Sequence, residues 1–212
     1  MPEQYYKPRN FNHPKKGSCT KTEPIRNKCD IERIKALLDD KPRDYCLFTL
    51  GINTAFRASE LVSILVGQVS HLRPFDTLTL KQPKTGKFRT VTINQNAYEA
   101  IRRCLAAHPD RDNLDAPLFF SMTTRRALKA NTLSKYMKEW CALAGLQGQF
   151  SSHSIRKTWG YSVYRYYNHD IAHSSRKIAE IMMAFGHKTE RQTLDYLCIS
   201  DREIQSLFQM EL

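Results

Sequence analysis

The sequence predicts a mainly α-helical fold with one small antiparallel β-hairpin, which is an α+β architecture. Apolar residues recur at helical spacing along most of the chain after residue 30. Between residues 77 and 93 the pattern changes to an alternation of β-branched and other residues, which is typical of strands. The chain has 212 residues, a length that suits one well-buried domain with a small appendage.

The first helices are predicted from capping residues that precede apolar faces. Asp30 is a suitable N-cap for the first helix, and Pro42 is a favourable first-turn residue for the second. A further helical stretch is predicted over residues 59–65, and Gly67 is expected to stop it. The apolar side chains of these segments fall on one face, so each helix is expected to pack on a common core.

Two alternating runs, residues 77–80 and 88–93, flank a turn-rich link that contains Pro83 and Gly86. This arrangement predicts a β-hairpin. Residues 118–120, with the sequence Leu-Phe-Phe, are predicted as either a short strand or a buried loop.

Helical spacing returns after the hairpin. A helix is predicted from Asn94, and Asn131 is expected to cap another helix that Gly145 ends. Four more helices are predicted over about residues 154–167, 174–185, 190–197 and 201–210.

The charge balance favours a polyanionic partner. The chain carries 33 Lys and Arg residues against 21 Asp and Glu residues, a formal charge of +12, and this excess favours nucleic acid. The first part of the chain is basic and has no apolar period. We predict that residues 1–29 form a basic, flexible N-terminal arm and that residues 30–212 form the domain. The arm either contacts phosphates or is a solvated tail.

Other features of the whole sequence indicate where the protein is located and whether it binds metal. No run approaches the roughly 18 apolar residues of a membrane span, and the N-terminus lacks the apolar segment of a signal peptide. The six cysteines are scattered and form no CxxC pair, which argues against a zinc site or a disulfide framework. We expect reduced thiols, no bound metal, no membrane contact and a cytoplasmic location.

Two arginines are candidate phosphate ligands. Arg57 lies in an apolar segment, where a charge is costly unless it is paired, and Glu60 one turn later is the natural carboxylate to orient it. His153 and Arg156 are spaced i, i+3, so on a helix they share a face. A guanidinium can hold two phosphate oxygens, and an imidazole can move a proton. Taken alone, each pair is also compatible with an ordinary structural or surface pair.

The sequence also contains candidates for a proton donor and for a nucleophile. Lys84 lies in the hairpin turn, from which its ammonium could protonate a leaving oxygen, and Lys87 and Arg89 compete for that role. Tyr196 follows His187 by nine residues. A phenol with a pKa of about 10 is a poor nucleophile unless cations stabilise its oxyanion or a base removes its proton. Most tyrosines are packing residues. The hypothesis that Tyr196 is a nucleophile therefore depends on the whole ordered set of arginines, histidines and tyrosine.

In order and local context these residues resemble the tyrosine recombinase family, the phage-integrase class of site-specific DNA recombinases. The matching motifs, spread from about residue 30 to the C-terminus, are Phe56-Arg57-Ala58-Ser59-Glu60-Leu61, Lys84-Thr85-Gly86-Lys87-Phe88-Arg89, His153-Ser154-Ile155-Arg156-Lys157-Thr158, and Gly186-His187 followed by Tyr196. The resemblance implies the catalytic-domain fold of that family. Lys157 and Trp159 stand where many relatives have other residues.

The resemblance implies DNA strand cleavage and rejoining through a 3′-phosphotyrosine and a four-way junction, without metal, ATP or another cofactor. The catalytic residues it implies are Arg57, Lys84, His153, Arg156, His187 and Tyr196. The arginines would clamp the scissile phosphate, the lysine would protonate the 5′ oxygen, and the histidines would support proton transfer and phosphate binding. The tyrosine would be the nucleophile.

The implied partners are double-stranded DNA, three further copies of the chain in a DNA-bound tetramer, and accessory DNA-bending proteins, which would place the protein at the nucleoid. The predicted helix over residues 201–210 would dock either on a neighbouring subunit or on its own core. Many relatives carry an N-terminal helical domain of about a hundred residues. Only 29 residues precede the predicted domain, so we expect either a short member that has the catalytic domain alone or a truncated element integrase.

Two alternative functions use the same fold: DNA relaxation like that of type IB topoisomerases, and DNA binding by a regulator that has lost catalysis. His187 and the family-like order of the motifs favour recombination over relaxation. The complete set of catalytic residue types argues against the regulator, because a DNA-binding protein does not need the tyrosine. The helix that carries Thr132, Ser134, Lys135 and Lys138 is a candidate for the major groove.

Overall fold

In the computed structural model, residues 21–82, 86–167 and 171–199 are described, except for the side chains of residues 171–175. This part of the chain is mainly helical and contains one two-stranded antiparallel sheet, which confirms the predicted fold class. In chain order its elements are α1 (Lys28–Leu37), α2 (Pro42–Thr54), α3 (Ala58–Leu61), α4 (Val66–Val69), β1 (Thr77–Lys81), β2 (Phe88–Thr92), α5 (Gln95–Ala106), α6 (Ala130–Leu143), α7 (Ser152–Tyr167), α8 (Ile171–Phe185) and α9 (Glu190–Leu197).

The start of α1 differs from the prediction. Its N-cap is Asn27 rather than Asp30, which lies inside the first turn. The Asp30 carboxylate accepts hydrogen bonds from Asn27 and Arg33. A carboxylate is favourable in a first turn because unpaired backbone N–H groups give that end of the helix a partial positive charge.

The continuous helix predicted over residues 59–65 is wrong, and so is the role of Gly67 as its stop. The chain forms two separate short helices there, and Gly67 lies inside α4. The backbone N–H groups of Val66 and Gly67 donate to the carbonyls of Ala116 and Leu114 at 2.9 and 2.8 Å. A Cβ on Gly67 would lie 3.0 Å from Leu114, so this glycine allows two backbones to approach closely.

The start of α6 also differs, because its N-cap is Lys129 and Asn131 lies in the first turn. The buried Leu128 donates its N–H to Phe119 at 2.8 Å, which fixes the chain just ahead of the helix. Gly145 has a φ of +74° directly after the C-cap, as predicted for a helix end. Residues 118–120 form a buried loop with a single bridge from Phe120 to Ala127.

The predicted hairpin is confirmed. β1 and β2 pair in register from Thr77 opposite Thr92 to Lys81 opposite Phe88. Leu78 and Leu80 of β1 are buried, so this strand turns one face to the core. Residues 83–85, and with them Lys84, lie outside the described residues.

The core is built around α2, which packs against both α5 and α7. Its buried side chains include Leu47, Phe48 and Leu50, which have no exposed surface. A second, smaller apolar cluster joins α7, α8 and α9 and contains Ala55, Tyr161, Ile181, Phe185, Leu197 and Ile199. The three helices that carry or flank the candidate histidines, Arg156 and Tyr196 therefore share one small core.

Residues 21–27 pack against this body, although the sequence predicted them as part of the flexible arm. Ile25 is 1% exposed. Its N–H donates to the Thr158 hydroxyl at 2.9 Å, and the N–H of Glu23 donates to the Gln149 carbonyl at 2.8 Å. We call residues 21–27 the N-terminal strap.

Two of the last three helices in the described ranges begin a few residues earlier than predicted. α7 begins at Ser152 instead of residue 154, α8 begins at Ile171 instead of residue 174, and α9 has the predicted bounds. The helix predicted over residues 201–210 lies outside the described residues. Among the helices of the described ranges, none has the length and apolar character needed to cross a bilayer.

Candidate functional site

Arg57 lies at the junction between α2 and α3. Ala55 adopts a left-handed conformation with a φ of 53°, which turns the chain so that Arg57 becomes the N-cap of α3. The Arg57 backbone N–H donates to Glu60 Oε2 at 2.7 Å, and its Nη1 donates to Oε1 at 2.9 Å. The Glu60 side chain is 1% exposed, whereas that of Arg57 is 43% exposed. The predicted carboxylate thus orients a guanidinium whose other edge is open to solvent.

Arg89 is a further arginine of this site, which the sequence indicated only as a competitor of Lys84 for the role of proton donor. It lies on β2, with Nη1 3.8 Å from Glu60 Oε2 and its guanidinium over the Phe56 ring. Burial lowers the pKa of Arg89, while Glu60 raises it and Arg57 lowers it. The alternation of the strand was the signal that could have placed Arg89 in the site, because Arg89 lies on the same inward face of β2 as Val91.

Arg156 lies on α7 and is 4% exposed. Its Nη1 donates to the Ala55 carbonyl at 3.0 Å and its Nη2 to the Phe185 carbonyl at 2.7 Å, which ties the ends of α2 and α8 together. Burial and the neighbouring Arg89 lower the pKa of Arg156 to about 10. The guanidinium therefore remains charged at neutral pH.

His153 lies one turn before Arg156 on the same helix, at an exposed position. Partial burial of its ring, and then Lys157, Arg156 and Arg57, lower its pKa below the ordinary value. The imidazole is therefore neutral at neutral pH and can accept or donate a hydrogen bond.

His187 follows Gly186, whose φ of +66° ends α8. Its Nδ1 lies 3.1 Å from the Thr193 hydroxyl, which donates its own proton to the Thr189 carbonyl. This hydrogen-bond network assigns the proton to Nδ1 and leaves Nε2 as an acceptor. Burial, Arg156 and Arg57 lower the pKa of His187, so this ring too is neutral at neutral pH.

Tyr196 is half-buried on α9. Its ring packs edge-on against His187 and Phe185, with centroid distances of 5.1 and 5.2 Å. Burial raises the pKa of the phenol, and the charges of Arg156 and Arg57 act in the opposite direction. The phenol oxygen therefore lies within the field of both guanidinium groups.

The structure brings five of the six predicted residues together: Arg57, His153, Arg156, His187 and Tyr196. The charges of Arg57 and Arg156 act on the Tyr196 phenol, and this electrostatic interaction connects the two arginines with the tyrosine. Lys84 is outside the described residues, so its role remains a prediction. Gln82 and Lys87, on either side of it, line the same cleft as Arg57.

The site has two adjoining depressions. An open cleft of about 760 Å³ is lined by Arg57, Lys87 and Arg89, and among the described residues no carboxylate lines it. Tyr196 lines a separate hollow of about 510 Å³ together with Lys157 and His187. The cleft offers positive charge to an anion, and Phe185, which lines it, also packs against the Tyr196 ring. Among the side chains in the described ranges, no group of three or more His, Cys, Asp or Glu is placed to hold a metal ion.

Solved structures share this fold. The chain matches the crystal structure of XerA recombinase with a TM-score of 0.67 and 21% identity, covering 90% of this chain and 67% of that one. It matches a lambda integrase dimer bound to a COC′ core site with a TM-score of 0.62 and 17% identity, covering 88% of this chain and 51% of that one. At these identities the likeness concerns the fold.

Two relatives are similar in sequence. The probable integrase/recombinase YoeC of Bacillus subtilis (strain 168) is 27% identical over 189 residues, which cover 89% of this chain and 96% of that protein. Tyrosine recombinase XerC of Caldanaerobacter subterraneus subsp. tengcongensis is 29% identical over 181 residues, covering 82% of this chain and 48% of that protein. The chain thus spans almost all of one relative and about half of the other.

A family model matches most of the chain. The model of the phage integrase family matches residues 27–203, which include every candidate residue from Arg57 to Tyr196. This match confirms the resemblance drawn from the motifs, and the chain belongs to the phage integrase family.

Proposed function

We propose that the protein is a site-specific DNA recombinase that cleaves and rejoins strands through a phosphotyrosine at Tyr196. The observation that carries the proposal is the half-buried Tyr196, whose ring packs on Phe185, the residue whose carbonyl binds Arg156, and whose phenol lies within the field of Arg57 and Arg156. A phosphodiester needs cations on its non-bridging oxygens while an oxygen nucleophile attacks, and this site supplies both.

The arginines serve distinct purposes in the proposed reaction. Arg57 binds Glu60 along one edge and turns its other N–H groups outward, where they suit a phosphate oxygen. Arg156 is locked between two carbonyls, so its remaining N–H donors have a fixed direction. A preorganised donor stabilises the charge that develops in the transition state better than a mobile one.

Proton movement falls to the neutral histidines and to the hairpin lysine. The His187 ring packs against the Tyr196 ring and keeps Nε2 as an acceptor, so we assign to it the removal of the phenol proton. We assign protonation of the 5′ oxygen to Lys84, following the family resemblance. The phosphotyrosine conserves the energy of the broken bond, so a 5′ hydroxyl can reverse the step without a nucleotide.

The proposed substrate is double-stranded DNA, which would place the protein at the nucleoid in the cytoplasm. A net charge of +12 supports it, and so does a cleft whose lining, in the part of the chain that the structure describes, is basic or uncharged. Exchange of two strands requires several active sites, so we propose a DNA-bound tetramer. One structure that shares this fold is a lambda integrase tetramer bound to a Holliday junction, which is the four-way junction that this mechanism needs.

The test is the Tyr196→Phe variant on a nicked suicide duplex, from which the cleaved strand end diffuses away. We expect the wild type to form a covalent protein–DNA complex on a denaturing gel, and the variant to bind DNA with similar affinity and form none. Tyr166→Phe is the matched control, because Tyr166 is 76% exposed on α7, and it should react like the wild type. A covalent complex with Tyr196→Phe would refute the assignment of the nucleophile.

A further inference from the structure

Lys157 is a buried lysine beside the proposed nucleophile, and the cleavage step described above does not use it. The residue is 5% exposed. Its Nζ donates to the Thr22 carbonyl at 2.6 Å and lies 3.6 Å from Cys198 Sγ. The same ammonium lies 4.7 Å from the centroid of the Tyr196 ring. Lysine is rarely buried without partners, because removing its charge from water is costly.

The N-terminal strap supplies one of those partners, the Thr22 carbonyl, and also holds the end of α9. Arg26 Nη2 donates to the Cys198 carbonyl at 3.0 Å, and its guanidinium lies 4.8 Å over the Tyr161 ring. Cys198 closes α9 in a left-handed conformation with a φ of 58°, two residues after Tyr196. The strap therefore contacts the helix that carries the tyrosine through a backbone carbonyl and through Lys157.

Three consecutive side chains of α7 hold neighbouring elements of the site together. Arg156 ties the ends of α2 and α8, Lys157 contacts the strap and the Tyr196 ring, and the Thr158 hydroxyl accepts the N–H of Ile25 in the strap. One helix thus fixes both the phosphate-facing guanidinium and the surroundings of the phenol.

We propose that Lys157 and the N-terminal strap form a positioning element that fixes the Tyr196 ring and stabilises its phenolate. The inference rests on the proposed function for its catalytic meaning. A cation over an aromatic face is attracted by the ring, and it favours the negative form of the phenol when the proton leaves. Lys157 is a positioning residue, because it contacts the ring and not the reacting phosphate.

The first test measures the phenol in DNA-free protein and needs no activity. Protein labelled with 3-fluorotyrosine gives a 19F resonance for Tyr196 that is identified by its loss in Tyr196→Phe. The charged or titratable groups that face Tyr196 are Arg57, Arg156, Lys157, His187 and Cys198. We expect Lys157→Met to raise the titration midpoint of this resonance, because a positive charge is removed.

Two further variants are controls for the shift in the titration midpoint. Lys157→Arg keeps the charge and should hold the midpoint near the wild-type value, even if Lys157→Met folds poorly. Arg165→Met removes one positive charge from an exposed position of the same helix and should leave the midpoint unchanged. An unchanged midpoint in Lys157→Met, with a folded protein, would overturn the inference.

The second test follows single-turnover cleavage of the suicide duplex. We expect Lys157→Met and Arg26→Met to slow covalent complex formation by about tenfold or more, because a misplaced nucleophile loses much of its reactivity. DNA affinity should change little, and Lys157→Arg should recover most of the rate. Rates equal to that of Arg165→Met would contradict the positioning element. A wild type without any covalent complex would instead refute the proposed function, and the 19F titration would still decide the inference.

Discussion

Glu60 is the carboxylate on which the arginines of the cleft depend. It is fully buried, and it contacts both Arg57 at 2.9 Å and Arg89 at 3.8 Å. A buried carboxylate between two guanidinium groups orients both, and its loss would leave two positive charges close together without a negative charge between them. Glu60 therefore contributes to the stability of the domain as well as to the direction of Arg57.

We expect Glu60→Gln to lower the free energy of unfolding by about 2 kcal/mol. This is less than the roughly 3–5 kcal/mol for breaking a fully buried ion pair, because Arg57 is partly solvated. Urea denaturation of the variant and the wild type measures the difference. Sulfate should restore more stability to the variant than to the wild type, since an anion can replace the missing negative charge. A variant as stable as the wild type would show that Glu60 does not hold the arginines.

Among the helices, α7 is the one on which the site is built, and its packing against α8 and α9 is tight. A Cβ on Gly160 would lie 2.5 Å from Phe185 Cζ and 2.9 Å from Leu197 Cδ2. Both neighbours belong to the helices that flank His187 and carry Tyr196. Gly51 makes an equally close approach to Ile155, at 2.4 Å, but on the side of α7 that faces α2.

This contrast gives a matched pair of substitutions. Gly160→Ala and Gly51→Ala should each lower the free energy of unfolding by about 1–3 kcal/mol, the usual cost of overpacking. Only Gly160→Ala should also slow covalent complex formation at a temperature where both variants are folded, because it displaces the ends of α8 and α9. Thermal unfolding and single-turnover cleavage measure the two effects. Equal reductions of the cleavage rate in both variants would show that the effect is general destabilisation.

Across the molecule as a whole, positive charge is the feature that suits DNA. The cleft beside Arg57 is lined by basic and uncharged residues, and Lys135 and Lys138 are exposed on α6. Ser134, also proposed for the major groove, is instead hydrogen-bonded to the Ser152 hydroxyl at 2.8 Å. The two lysines are therefore the better candidates for binding of α6 to DNA.

We expect the affinity for a DNA duplex to fall by at least about 100-fold between about 50 and 200 mM salt, because binding to phosphates releases counterions. Lys135→Gln combined with Lys138→Gln should make the logarithmic slope shallower by roughly one for each lysine that binds a phosphate in the wild type. Fluorescence anisotropy with Tyr196→Phe measures binding without covalent capture. A flat salt response would count against DNA as the substrate.

Most of the element types and their order could be predicted from the amino-acid sequence, and so could five candidate site residues that the structure brings together. Helical spacing, strand alternation and turn residues are local signals, so the hairpin and the helices after it followed from them. The pairing of Arg57 with Glu60 also followed, because i, i+3 neighbours meet on any helical turn.

Other features depend on residues that are distant in the chain, and these became visible only in the folded molecule. The break in the predicted helix over residues 59–65 depends on hydrogen bonds to residues 114–118, and the start of α6 depends on Leu128 bonding to Phe119. Arg89 joins Glu60 only because β2 folds beside α3, and the strap contacts Lys157 across more than a hundred residues. Such contacts carry no local period, since their free energy comes from burial and hydrogen bonding between separate elements of the folded chain.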